Sequence, residues 1–114
     1  MSTTIVPPFP HPPVLDVTIT VNPTTHTLSV LPDPFILHKL SDQVVRWNCV
    51  PDPTQKFSVE FENGSPFYES QFSKDNPCSG IAQRNVLAET GKLYKYTVRV
   101  PGCVDLDPGG DIEK

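Results

Sequence analysis

Thiols and imidazoles are the side chains of this sequence with the clearest capacity for chemistry. The chain of 114 residues has three of each: Cys49, Cys78, Cys103, His11, His26 and His38. Thiolate and imidazole are ligands that copper and zinc favour in proteins. The cysteines form no CxxC pair, and the histidines all lie in the N-terminal third. We therefore expect no cofactor, and the alternative is a copper site that uses Cys103, Cys78 and His38.

An odd number of cysteines without paired spacing is typical of reduced thiols in the cytosol. A disulfide between Cys78 and Cys103 is the oxidised alternative, and it would leave Cys49 unpaired. The first residues carry neither the basic start nor the apolar stretch of a secretory signal, and no apolar run approaches the ~20 residues of a membrane span. We therefore expect a cytoplasmic protein with no membrane contact.

Charged side chains do not suggest an enzyme or a nucleic-acid-binding protein. The nine Lys and Arg residues are scattered singly and the net charge is −4, whereas phosphate binding needs several cations on one face. Glu60 and Glu62 share the outward face of a predicted strand. A C-terminal acidic run lacks the spacing of an EF-hand loop, so we interpret it as a solvated tail; its members are Asp105, Asp107, Asp111 and Glu113. No GxSxG nucleophile motif occurs, and we expect no catalytic residues.

Strands must position these groups, because 14 prolines leave almost no room for long helices. Residues alternate between apolar and polar at Leu15–Val21, Gln43–Val50, Lys56–Phe61 and Lys92–Val100, which is the period of a half-buried strand. Shorter strands are predicted at Thr27–Leu31, at Phe35–His38 and near the C-terminus. Residues 67–89 are the least regular, and Ile81–Ala88 favours strand slightly over helix. The candidate core residues are Trp47, Phe57, Phe61, Tyr94 and Tyr96.

About seven short strands with turn signals roughly every 8 to 12 residues are typical of an all-β, antiparallel Greek-key sandwich of two sheets. Residues 14–114 are predicted to form this single domain. Residues 1–13 stand apart, because their repeated prolines favour an extended polyproline II arm. The arm residues that we expect to contact a partner are Pro7, Phe9, Pro10, His11 and Pro13.

Two segments of the sequence resemble the cupredoxin family of Greek-key sandwiches. The first is DQVVRWN at Asp42–Asn48, followed by Phe57–Phe61, and the second is GKLYKYTV at Gly91–Val98, followed by Pro101-Gly102. The chain also resembles small, uncharacterised bacterial members of this shape that lack the copper ligands and end in an LDP turn, here Leu106–Pro108. The resemblance implies a cupredoxin-like fold over about residues 15–112.

The copper ligands of that family do not carry over to this chain. Where the family has its first histidine, this sequence has Pro53–Lys56, and where the family has its cysteine, this sequence has Val98. Cys103 stands in place of the second histidine, and the single methionine is Met1. We therefore expect a non-enzymatic binding or assembly module that meets a protein partner or a second copy through a sheet edge or the arm. The alternative is a copper-binding protein that uses Cys103 or another thiol with histidine.

Overall fold

The computed structural model describes residues 13–86 and 93–114. These residues form strands and one short 3₁₀ turn, η1 (Lys39–Ser41), without an α-helix, so the all-β prediction is confirmed. None of their helical segments is long and apolar enough to cross a membrane. The strands are β1 (Val14–Asn22), β2 (Thr27–Leu31), β3 (Phe35–His38), β4 (Val44–Val50), β5 (Ser58–Glu60), β6 (Gln71–Ser73), β7 (Leu93–Lys95), β8 (Thr97–Arg99) and β9 (Gly109–Glu113).

The described strands form three sheets of three strands, in the orders β2-β1-β4, β3-β9-β7 and β6-β5-β8. We call them the first, second and third sheet. The sequence predicted antiparallel pairing throughout, but β1 runs parallel to β4 and β3 runs parallel to β9. The prediction is wrong for these two pairs. Parallel neighbours need a long crossover rather than a tight hairpin, and here other strands lie between the two partners in the sequence.

Alternating side chains place β1 and β4 at the centre of the first sheet. Val17 and Ile19 of β1 are buried, as are Val45, Trp47 and Cys49 of β4. Successive side chains of a strand point to opposite faces, so each strand directs one row into the core and the other outward. The faces predicted for both strands are confirmed by this burial.

The chain passes from one sheet to another at two short breaks. Pro32–Pro34 separates β2 of the first sheet from β3 of the second, and Tyr96 separates β7 of the second from β8 of the third. The sequence predicted one continuous strand at Lys92–Val100. Alternation persists across the break, because Tyr96 and Val98 are both buried, and so it could not reveal that the partner strand changes.

Residues 67–86 contain little regular structure apart from β6. Phe67 pairs with Ala82 and Arg46 pairs with Cys78, each as an isolated antiparallel bridge. Phe67 and Phe72 pack into the core. The predicted strand at 81–88 is therefore reduced to a bridge at Ala82, and its last two residues lie outside the described part of the chain.

One apolar cluster receives side chains from all three sheets. Trp47 is at its centre and is 1% exposed; its ring lies 5.1 Å from that of Phe72 and 5.7 Å from that of Tyr96, between ring centroids. Phe57 and Phe61 are also buried, and Tyr94 is partly buried against the cluster. Burial raises the pKa of the Tyr96 phenol well above its ordinary value.

Candidate functional site

The predicted interaction arm is described at its last residue only. Pro7, Phe9, Pro10 and His11 lie outside the described residues. The carbonyl oxygen of Pro13 accepts a hydrogen bond from the backbone N–H of Val44 at 3.0 Å. The chain therefore enters β1 beside the start of β4, and residues 1–12 precede the first sheet at that point.

The same sheet has an open edge at β2. β2 pairs with β1, and its other edge has no strand partner among the described residues. Leu31, the last residue of β2, is 73% exposed. The free backbone groups of an edge strand can form hydrogen bonds with a strand of another chain.

Two of the three cysteines approach each other, but they are not the predicted pair. Cys49 is buried and Cys103 packs against the same core cluster, whereas Cys78 is exposed opposite Arg46 on the outer face of the first sheet. Burial raises the pKa of the Cys49 thiol, and Asp52 and Cys103 raise it further. The structure therefore does not bring Cys78 and Cys103 together.

His38 is also distant from Cys103 along the fold. It ends β3, and its Nδ1 lies 3.1 Å from the carbonyl oxygen of Lys114. The histidine nearest to Cys103 in the backbone network is His26, whose carbonyl oxygen accepts a hydrogen bond from Val104 at 3.3 Å. Within residues 13–86 and 93–114, no three His, Cys, Asp or Glu side chains are grouped to hold a metal ion.

Arg99 organises the acidic side chains of the third sheet. Its guanidinium donates to Glu60 at 2.8 Å, to Glu62 at 2.9 Å and to Asp105 at 3.2 Å. The hydrogen bond from Arg99 lowers the pKa of Glu60, and these carboxylates together raise the pKa of Arg99. Strand alternation predicted that these side chains face outward, but it could not predict that the register places Arg99 opposite Ser58, one residue from Val59 and two from Glu60.

The Arg99 network fastens the segment after β8 to the third sheet. Leu106 and Val98 exchange two backbone hydrogen bonds of 2.7 and 3.1 Å, and the Thr97 hydroxyl lies 2.8 Å from Asp107. These carboxylates bound a depression of about 450 Å³. Because Arg99 already engages three carboxylates, the arrangement is that of a structural clasp.

The C-terminal acidic run does not form one solvated tail. Asp105 and Asp107 are exposed, but Asp111 lies in β9 and is 6% exposed. Glu113 is partly buried in the same strand. The prediction of a solvated tail was wrong for Asp111, because pairing of β9 between β3 and β7 encloses its middle residue.

Comparison with known proteins does not identify the chain with a family. No protein-family model matches the sequence, no curated protein is significantly similar to it, and no solved structure matches its fold.

Proposed function

We propose that this chain is a non-enzymatic binding or assembly module, built on a metal-free cupredoxin-like sandwich. It meets a protein partner or a second copy through the open edge of β2 and through the N-terminal arm. The observation that carries the proposal is the position of both features on the first sheet: β2 forms its open edge, and Pro13 leads into β1 beside β2. An extended segment and an unpaired edge are complementary in backbone hydrogen bonding.

The two-layer arrangement is supported by the shared core and by the breaks between sheets. Strands of the second and third sheets follow one another through Tyr96 alone, so these two sheets form parts of one layer. The first sheet is the opposite layer, because the inward side chains of all three sheets enter one cluster. Strands that switch sheets at a bend are a feature of β-sandwiches.

The metal-free character is supported by the environment of Val98. This residue stands where the cupredoxin family has its cysteine ligand, and it is fully buried between Val59 and Leu106. A valine in an apolar layer offers packing and no ligand atom.

Deleting residues 1–12 tests the role of the arm while it keeps the hydrogen bond from Val44 to Pro13. Leu31→Lys tests the edge, because a charged side chain on an edge strand opposes pairing with another strand. Val104→Lys is the matched control, since Val104 is 71% exposed and lies outside the strands. We expect the full chain to gain mass with concentration in analytical ultracentrifugation or to retain a partner, and we expect both changes, but not the control, to weaken this.

The proposal is wrong if the deletion and Leu31→Lys leave both the mass and the retained partners unchanged. One observation favours the copper alternative as a second candidate: Cys49 and Cys103 lie close enough to interact electrostatically, and the backbone beside Cys103 contacts His26. Elemental analysis followed by Cu(II) titration tests it. A stoichiometric metal with an intense thiolate-to-copper band, lost in Cys103→Ser, would replace the binding proposal.

A further inference from the structure

We propose that a second surface, the Leu40 patch, binds a protein segment that presents apolar side chains next to carboxylates. The inference rests on the proposed binding function, but it concerns a surface separate from the arm and the β2 edge. The patch consists of Lys39, Leu40, Asp42, Tyr68, Ile81 and Arg84.

Three large apolar side chains converge on this patch. Leu40 is 76% exposed, Tyr68 is 63% exposed and Ile81 is 36% exposed. Leu40 and Ile81 line one depression of about 480 Å³. The antiparallel bridge between Phe67 and Ala82 sets Tyr68 beside Ile81. A contiguous group of exposed apolar residues that includes an aromatic ring is typical of a protein-binding surface.

The exposure of Leu40 does not serve the fold of its own element. None of the residues of η1 is buried, so the leucine side chain contributes little to the core. A leucine that water surrounds gains its hydrophobic stabilisation only when another molecule covers it. This favours an occupant for the patch.

The segments that carry the patch are fastened to one another by hydrogen bonds. The Nζ atom of Lys39 donates to the carbonyl oxygen of Arg84 at 2.9 Å and also to that of Val86. Gln83 donates its backbone N–H to Pro66 at 2.8 Å, and the backbone N–H of Arg84 donates to the Tyr68 hydroxyl at 3.3 Å. A surface that is already ordered loses little conformational entropy when a partner binds.

Charge determines which partner the patch favours. Lys39 and Arg84 are two cations, Asp42 is the carboxylate that lines the same depression, and no ion pair joins either cation to an acidic side chain of the described residues. The patch is thus locally positive on a chain of net charge −4. A segment with carboxylates complements it, whereas the same patch of a second copy would place like charges together.

Two labelled synthetic peptides test the proposal by fluorescence anisotropy. One carries leucine, phenylalanine and glutamate, and the other has lysine at each glutamate position. We expect the acidic peptide to bind and the basic one not to bind. Leu40→Ser and Arg84→Glu should each weaken binding by about tenfold. Val104→Ser and Lys56→Glu are the controls, because they make the same changes at exposed positions outside the patch, and they should leave the affinity unchanged.

The proposal is overturned if neither peptide binds, if both bind equally, or if the controls weaken binding as much as the patch variants. It is also overturned if Leu40→Ser lowers the mass of the chain in solution, since the occupant would then be a second copy. The chain without residues 1–12 and the Leu31→Lys variant should still bind the peptide. Failure of their assembly with peptide binding intact would contradict the arm and edge proposal alone.

Discussion

At the scale of single residues, the tightest packing in the molecule surrounds Gly110. A Cβ atom added to Gly110 would lie 2.1 Å from the nearest ring atom of Phe35, whereas one added to Gly109 would lie 3.6 Å from Leu93. Phe35 is fully buried, so its ring cannot move aside without disturbing the core. The sequence suggested a turn at these two glycines, but both lie in β9.

Gly110→Ala should therefore destabilise the protein by about 1 to 3 kcal/mol, the usual cost of forcing extra volume into a packed core. Gly109→Ala is the matched control and should cost less, because its new methyl group would make ordinary van der Waals contact. Chemical denaturation of the two variants measures the difference in the free energy of unfolding. Equal values would show that the Phe35 ring yields to the added methyl group.

At the scale of elements, β4 separates a core face from a solvent face. Trp47 points inward and contacts the aromatic rings of the cluster, while its neighbour Arg46 points outward and pairs with Asp16 at 2.9 Å. The side chains of that ion pair are half exposed, and its hydrogen bond lowers the pKa of Asp16. The two faces of one strand thus differ greatly in how much each side chain stabilises the fold.

Trp47→Ala should lower the free energy of unfolding by about 3 to 5 kcal/mol, because it leaves a cavity among the surrounding rings. Arg46→Ala on the adjacent position should cost no more than about 1 kcal/mol, as is usual for a solvent-screened ion pair. Urea denaturation followed by circular dichroism compares the two. A loss below about 1 kcal/mol for Trp47→Ala would contradict the central place of this ring in the core.

At the scale of the whole molecule, the three sheets depend on a common core. Trp47 of the first sheet lies 6.3 Å from Phe35 of the second and 5.1 Å from Phe72 of the third, between ring centroids. No sheet of three strands buries its own apolar face, so each one needs the others. The Leu40 patch and the β2 edge lie on the surface of this shared core.

We therefore expect cooperative unfolding of the described sheets as one unit. The fluorescence of Trp47, the one tryptophan of the chain, and the far-ultraviolet circular dichroism should show the same midpoint in urea. Leu37→Ala in the second sheet and Val98→Ala in the third should shift both signals equally. Separate midpoints, or a shift of the circular dichroism alone, would show that one sheet unfolds independently.

The sequence by itself determined the all-β class, the position of most strands and the inward faces of β1 and β4. These follow from proline frequency and from alternation, which are local properties of the chain. The core candidates Trp47, Phe61 and Tyr96 are buried for the same reason.

The tertiary structure alone decided the parallel pairing of β1 with β4, the change of sheet at Tyr96 and the three acidic partners of Arg99. It also decided that Cys103 approaches Cys49, and that Leu40, Tyr68 and Ile81 share one surface. Each of these depends on which distant segments become neighbours. Alternation states which side of a strand is apolar, but the same pattern fits many partners and registers, and the choice among them is made by the packing of the whole core.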